Sequence, residues 1–435
     1  MERVFRNGLW VGTGPDARSV QGDARVVDGV IVEIASEIDP GDAEVEELNG
    51  KWVFPGFSQS HVHLCQTLFR GLAEDLELLD WLGERIWPLE AAHDEDSTYW
   101  SARLGITELL LGGTTSILDM GSLRHTDATL TACEESGIRA ACGRALMDRE
   151  NSSGLSESMD ANLLGACDEA DRWHGRGRLR YAFAPRFVPS CSEELLRAVV
   201  QEARDRGCVI HTHASENEAE VELVRSLTGM DNVEYLHEIG MTGGDVCLAH
   251  CIHLTDAEER ILAETGTHLL HCPSSNLKLG SGVARIPELL ARGVRVSLGA
   301  DGAPCNNGLD IFREMRLAGL IQKPRLGTSV LGPGAILEMA TTGGAAATGL
   351  GSVSGSLEVG KAADFVVVDP NHPTICPQVD PVVAAVYSLS PAAIVSVWIE
   401  GGPVVRDGRV LAWDAEETAR AARDAALRVR RTAGL

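Results

Sequence analysis

Lysine is scarce in this chain, confined to Lys51, Lys278, Lys323 and Lys361. The 11 cysteines, scattered from Cys65 to Cys376, include no Cys-x-x-Cys pair. An odd, dispersed set reads as reduced thiols rather than a disulfide framework, and Cys247 and Cys251, flanking a strand end, read as small buried residues. No apolar run approaches about 20 residues free of charge, so no membrane span is expected. The start, Met1 to Gly8, lacks a basic stretch followed by an apolar run and a cleavage site. It does not read as a signal peptide, and a cytoplasmic protein is expected. Basic residues are outnumbered 38 to 63, giving a formal net charge of -25. Such a surface repels phosphate backbones and disfavours nucleic acid as a partner. No Gly-x-Gly-x-x-Gly follows the first strand, which argues against a doubly wound dinucleotide-binding sheet.

What is present reads as an ordinary globular chain of 435 residues, 44% hydrophobic and 23% charged. That length accommodates a barrel of about 250 residues and a smaller satellite domain. Val26 to Val32 forms a hairpin pattern with Asp28-Gly29 at its tip. Gly360 to Asp369 and Ile394 to Ile399 repeat this β character, followed by turns at Gly401-Gly402 and Asp407-Gly408. The expectation is a small β-sandwich built from both termini (1–55 and 353–412), a (β/α)8 TIM barrel over 56–352, and a C-terminal helix within 413–435. Inside the barrel region, short apolar strands (115–118, 180–184, 208–210, 246–248, 294–298) alternate with helical stretches such as 192–204 and 256–264. Repeated strand–helix units imply a parallel sheet, whose chemistry gathers at the C-terminal strand ends.

Four strand ends carry metal-ligand residue types. One ends in His61-Val62-His63, where alternate residues share a face and both imidazoles can reach one ion. A second carries His211-Thr212-His213 with Glu216 just beyond, a third ends in His250, and a fourth in Asp301. Each alone is a weak signal; four in this order point to a convergent metal site.

These motifs, with Phe54-Pro55-Gly56-Phe57, His271-Cys272-Pro273-Ser274-Ser275-Asn276-Leu277, Gly299-Ala300-Asp301-Gly302-Ala303 and Ser356 to Asp364, resemble the amidohydrolase superfamily. The resemblance spans the chain and lies with its cytosine-, guanine- and adenosine-type deaminases and triazine hydrolases. It implies metal ligands His61, His63, His213 and Asp301, with Glu216 as proton shuttle and His250 contacting the metal's water. Asp301 would also take that water's proton. Two-metal relatives bridge their ions with a carboxylated lysine at the fourth strand end, where this chain has Ala184-Pro185-Arg186-Phe187. One divalent ion is therefore expected; zinc suits three imidazoles and a carboxylate, and iron is the alternative. Of the remaining histidines, His211 shares a face with His213 and reads as a deeper structural imidazole. His237 and His253 read as surface or loop residues, and His268 and His271 as hydrogen-bonded strand histidines.

Three residues speak to substrate through the same resemblance. Gln66 occupies the place of a ring-contacting glutamine, Arg186 that of an arginine gripping the base, and Glu90 that of an acid holding ribose hydroxyls. A carboxylate suits a vicinal diol, one oxygen per hydroxyl. The Asn306-Asn307 tail beyond Asp301 leans toward the adenosine-type branch. The implied activity is hydrolytic deamination of an aminopurine nucleoside such as 5′-deoxyadenosine, methylthioadenosine or S-adenosylhomocysteine. A guanine, oxopurine or pterin deaminase and a triazine amidohydrolase or chlorohydrolase are the alternatives. Expected partners are a small-molecule substrate and further copies of the chain.

Overall fold

The structure is a computed structural model that describes residues 1–14, 18–151, 153–377 and 380–435. Its centre is a ring of eight parallel strands: Phe57–His63, Thr114–Met120, Arg139–Gly143, Leu179–Pro185, Val209–Ala214, Val246–His250, His268–His271 and Arg295–Leu298. Past Gly299-Ala300 the chain pairs once more, Asp301 with Val62 and Gly302 with His63, which joins the eighth strand to the first and closes the barrel. Both faces of these strands are buried, as a parallel sheet wrapped by helices requires. The interior is filled by small and medium side chains, among them Leu118, Ala141, Ala182, Cys247, Ala249 and Leu270, which suits the narrow bore of an eight-stranded ring.

The helices begin and end where the sequence punctuates them. The stretch expected over 192–204 is the helix Glu193–Arg206: Ser192 accepts from Leu195 N at its start, and Gly207 (φ 66) ends it in the left-handed region. The helix expected over 256–264 is Asp256–Thr265, opened by a capping box between Thr255 and Glu258 and stopped at Gly266. Each device supplies partners that a helix end lacks. The third barrel strand escaped the sequence reading. Its Arg139-Ala140-Ala141-Cys142-Gly143 has no β-branched residue and becomes a strand through its neighbours, pairing with Ser116–Met120 and Leu179–Tyr181.

Strands from both termini make one nine-stranded sheet, in which Trp52–Pro55 lies between Glu2–Trp10 and Phe365–Val368. The Asp28-Gly29 tip carries φ values of 48 and 83, as a tight hairpin turn demands. The strand expected from Gly360 begins only at Phe365. Residues before it serve the opposite edge instead: Ile31 N donates to Lys361 O at 2.9 Å and Ala363 N to Gly29 O at 2.8 Å. These bonds fold the sheet back around an aromatic core in which Phe5 meets Phe365 at 4.9 Å and Trp398 at 4.8 Å, edge to face. The tail helix Ala415–Ala433 returns to the barrel, where Ala422, Ala425 and Val429 pack with Leu82, Ile86 and Leu89 of the segment over the barrel mouth. No helix among the described residues is long and apolar enough to cross a membrane.

At the base of the barrel, Arg139 donates to both oxygens of Asp364, at 2.6 and 3.2 Å, and pairs with Glu400 at 2.9 Å. The Arg139 and Asp364 side chains are 5% and 1% exposed. Removing one member strands a buried charge, whereas replacing both by apolar groups does not. Asp364→Ala is therefore expected to lower the unfolding free energy by about 3–5 kcal/mol, and Arg139→Met with Asp364→Leu by less than the single change. Denaturant unfolding of the three variants checks this; a double variant weaker than the single would refute it.

Candidate active site

At the opposite end of the strands, four side chains meet. Ligand atoms of His61, His63, His213 and Asp301 lie within 4.8 Å of one another. Asp301 Oδ1 stands 3.2 Å from His61 Nε2 and 3.4 Å from His63 Nε2, and the Nε2 atoms of His63 and His213 are 3.3 Å apart. The first strand is bulged between Gln59 and Val62, which re-aims its end so that both histidines face the ring axis.

The Gly299-Ala300-Asp301-Gly302 run has a steric reason. A Cβ on Gly299 would lie 2.6 Å from His61 O, and one on Gly302 would lie 2.2 Å from Gln66 Oε1. Only glycine lets the eighth strand approach the ligand strand so closely. Asp301 itself sits at φ 62, and Ser215, His250 and Cys251 at 52, 72 and 47. Left-handed backbone at non-glycine residues costs on the order of 1–3 kcal/mol each and persists where neighbours over-determine it.

Three of the four side chains, His213, His61 and Asp301, are oriented from behind. His213 Nδ1 donates to Arg186 O at 2.7 Å, so its proton sits there and the Nε2 lone pair faces the cluster. His61 Nδ1 shares a 2.7 Å hydrogen bond with His211 Nε2, which makes His211 the partner that fixes His61. Ser275 Oγ donates to Asp301 Oδ2 at 2.6 Å, and Gly302 N to Asp301 Oδ1 at 2.7 Å. His61 Nε2 is buried without a hydrogen-bond partner. Buried imidazoles and a carboxylate converging this closely fit a single tetrahedral divalent ion. The fourth-strand end offers no lysine to bridge a second.

Beside the cluster, His250 Nε2 is 3.4 Å from Glu216 Oε2 and 3.8 Å from Asp301 Oδ2, while its Nδ1 donates to Asn276 Oδ1 at 2.8 Å. Burial pushes the Glu216 carboxyl up to about 7. Burial works against protonation of His250, but the Glu216 and Asp301 carboxylates outweigh it and raise its pKa. Desolvation would likewise raise Asp301; the imidazoles of His61, His250 and His63 outweigh it and hold the carboxyl well below the usual range. Glu220 Oε2 accepts Glu216 N at 2.7 Å and anchors its backbone.

A partly open cavity lies in front of the cluster. One wall is polar, formed by Gln66 and Arg186; the other is apolar, formed by Leu78, Trp81, Leu82, Phe187 and Leu279. Glu90 is not part of either wall. Its side chain is fully buried one layer behind, where Oε2 accepts Arg186 Nη1 at 2.6 Å and Oε1 accepts Arg186 Nη2 at 3.1 Å and Gln66 Nε2 at 2.8 Å. A carboxylate can only accept, so the Gln66 amide turns its NH2 to Glu90, and its Oε1 is buried without a partner.

The other histidines are mixed. His237 bonds Thr242 Oγ1 and is exposed, and His253 is a half-buried loop residue bonded to Ser281 O. His268 has a backbone partner at Gly244. His271 corrects the expectation of a hydrogen-bonded strand histidine: among the described residues neither ring nitrogen has a partner, and burial lowers its pKa to about 3. Sequence reasoning gave no role to Ser275, Asn276 or Glu220, although Ser275-Asn276 lie inside a motif it singled out. All 11 cysteines are unpaired thiols.

If the cluster holds one ion, metal analysis of the purified protein returns one equivalent per chain, and the ligand substitution His63→Ala reduces it well below one. Metal that binds only the folded state stabilises it by about 4 kcal/mol at a free concentration of 1,000 Kd. Chelation should lower the melting temperature accordingly. Two equivalents, or a melting temperature indifferent to chelator, would overturn the single-ion assignment.

Residues 52–404 match the Amidohydrolase family. The chain is 40% identical over 406 residues to a 5'-deoxyadenosine deaminase of Methanothermobacter thermautotrophicus, covering 92% of this chain and 93% of that one. It is 38% identical to a 5-methylthioadenosine/S-adenosylhomocysteine deaminase of Desulforudis audaxviator, covering 94% and 95%. In three dimensions it superposes on a Xanthomonas campestris adenosine deaminase with bound zinc at a TM-score of 0.92, with 29% identity over 99% of this chain and 98% of that one. The barrel with its gathered imidazoles and carboxylates thus has its kin: the chain belongs to the amidohydrolase family and is a metal-dependent hydrolytic deaminase.

Proposed function

We propose that this enzyme deaminates an adenine nucleoside whose 5′ position is unphosphorylated and largely apolar, with one zinc ion as cofactor. The observation that carries the reading is the pairing of the Glu216–His250–Asp301 group with a cavity whose lining combines the polar Gln66 and Arg186 with the apolar Leu78, Trp81 and Leu82. It is supported by the 5′-deoxyadenosine and methylthioadenosine deaminases this chain resembles. Leu78, Trp81 and Leu82 suit the faces of a base and an apolar 5′ group, whereas a phosphate would meet no free cation there, since Arg186 is already paired. Trp81 Nε1 is buried and unpartnered, a donor left over on the apolar wall.

When bound, the ion supplies Lewis acidity and brings a water's pKa near ~7. The side chains do the rest. Asp301 takes the proton of the attacking water. Glu216, whose carboxyl burial pushes up, protonates the ring nitrogen beside the amino-bearing carbon. His250 Nε2 faces the oxygen as the carbon becomes tetrahedral. The proton held by Asp301 then passes to the amine, the C–N bond breaks to release ammonia, the hydroxyl proton returns to Glu216, and a 6-oxopurine nucleoside protonated at the ring nitrogen remains.

Ammonia release across 5′-deoxyadenosine, methylthioadenosine, S-adenosylhomocysteine, adenine, guanine and a triazine tests the substrate class. The nucleosides are expected to exceed the free bases, and Glu216→Gln to cut turnover by roughly 10²–10⁴ with metal content retained. If guanine or the triazine is turned over best, the nucleoside reading fails. A Glu216→Gln enzyme with normal turnover removes that residue from proton transfer.

Glu90 divides two roles. As it lies, it neutralises Arg186 and sets the Gln66 amide, so Glu90→Gln should lower kcat/KM for 5′-deoxyadenosine by about 10²-fold, the scale of a misplaced contact. The same factor is expected for 2′,5′-dideoxyadenosine. A direct hold on the diol would instead show as a much larger loss for the substrate that has both hydroxyls.

A further inference from the structure

Behind the metal centre, on the far side of Asp301 from the cavity, sits a second buried acid. Glu314 lies in the first turn of the helix Ile311–Ile321 and is fully buried. Its Oε1 accepts Ser274 Oγ at 2.5 Å and Asn306 Nδ2 at 2.9 Å; its Oε2 accepts Ser274 N at 3.1 Å. Among the described residues it forms no ion pair. The next two residues of the turn it holds reach the centre: Ser275 Oγ donates to Asp301 Oδ2, and Asn276 Oδ1 accepts His250 Nδ1. The other residue it holds, Asn306, donates to Ala300 O at 2.7 Å, on the residue just before Asp301.

We propose that Glu314 is a positioning residue that sets Asp301 and His250 at the metal centre through the Ser274-Ser275-Asn276 turn and Asn306. One carboxylate thereby ties the loop after the seventh strand to the loop after the eighth. Both sides of Asp301 are fixed from it: the backbone before the residue by Asn306, and the carboxylate by Ser275. A buried acid without a cation is a costly way to hold a turn, since an amide or an apolar residue carries no charge to desolvate. Burial raises this carboxyl to about 7, in keeping with an uncompensated acid. Three donors converge on it, and only a carboxylate accepts from all three at once; glutamine would set its NH2 against one of them.

The inference rests on Asp301 as a ligand, but its test does not depend on which nucleoside is the substrate. Glu314→Gln is expected to weaken zinc affinity, read by chelator competition, by roughly 10–100-fold, the scale for partners that orient ligands. In the cobalt-substituted protein its visible absorption bands should shift, because Asp301 is displaced. Turnover should fall with KM nearly unchanged, since no cavity wall moves. Combined with Ser275→Ala, the loss should be much less than the product of the two single losses, because both act through one path. Should Glu314→Gln fold poorly, Ser274→Ala keeps the carboxylate, removes one donor, and is expected to change affinity and spectrum in the same direction. Wild-type zinc affinity and cobalt spectrum in a folded Glu314→Gln, or in Ser274→Ala, would reduce Glu314 to a packing residue and overturn the proposal. Failure of all nucleosides as substrates, with affinity still lost, would sink the substrate assignment and leave this one standing.

Discussion

Asp301 has to keep its charge in a place where water cannot help it. It is 5% exposed, and everything around it is arranged to receive an anion: the imidazoles of His61, His63 and His250, the Ser275 hydroxyl and the Gly302 amide. A buried charge is tolerated only where such partners are fixed in advance. That requirement propagates outward. The eighth strand must touch the first, which Gly299 permits. The backbone must turn left-handed at Asp301 and again at His250. The imidazoles must hold their lone pairs inward, which Arg186 O and His211 enforce from behind. The barrel supplies the rigidity that makes this strain sustainable.

The sequence exposes whatever is encoded within a few residues. Period two put His61 and His63 on one face, and the helical stretches read over 192–204 and 256–264 are the helices Glu193–Arg206 and Asp256–Thr265. The hairpin at Asp28-Gly29 was legible for the same reason. The resemblance supplied four candidate ligands, which the structure brings together. What stayed hidden depends on partners far along the chain. Arg139 to Gly143 is a strand because of its neighbours rather than its propensity. Glu90 meets Arg186 across 96 positions, and no local pattern tells a carboxylate facing a cavity from one facing an arginine behind it. Ser275 and Asn276 stood inside a quoted motif, but their targets, Asp301 and His250, could be assigned only once two loops were seen side by side.

The segment over the barrel mouth shows how the termini bear on a site they never touch. Leu78, Trp81 and Leu82 give the cavity its apolar wall, and their other sides share a cluster with Ala422, Ala425 and Val429 of the last helix. Arg428 pairs with Asp96, and Trp413 Nε1 donates to Thr107 at 2.9 Å, fastening that helix to Glu95–Leu111. The apolar wall is thus held from outside by residues more than 300 positions away in the chain. A cavity built this way can be chemically fixed at the metal end and variable at the other, which is how one barrel serves many substrates.

The two ends of the barrel treat buried charge in opposite ways. At the base, Arg139 answers Asp364 and Glu400 directly, and the arrangement is complete as it stands. At the mouth, Arg186 is consumed by Glu90, which leaves Asp301, Glu216, Glu220 and Glu314 buried with no arginine or lysine paired to them among the described residues. Burial pushes three of these carboxyls up, and only Asp301, encircled by imidazoles, is held down. A divalent cation at the His61–His63–His213–Asp301 cluster supplies the missing positive charge at the point where the excess is concentrated. It would also favour the ionised form of Glu216, against the effect of burial. The base of the barrel buries charge to join two sheets, and the mouth leaves it unmatched so that an ion and then a substrate can complete it.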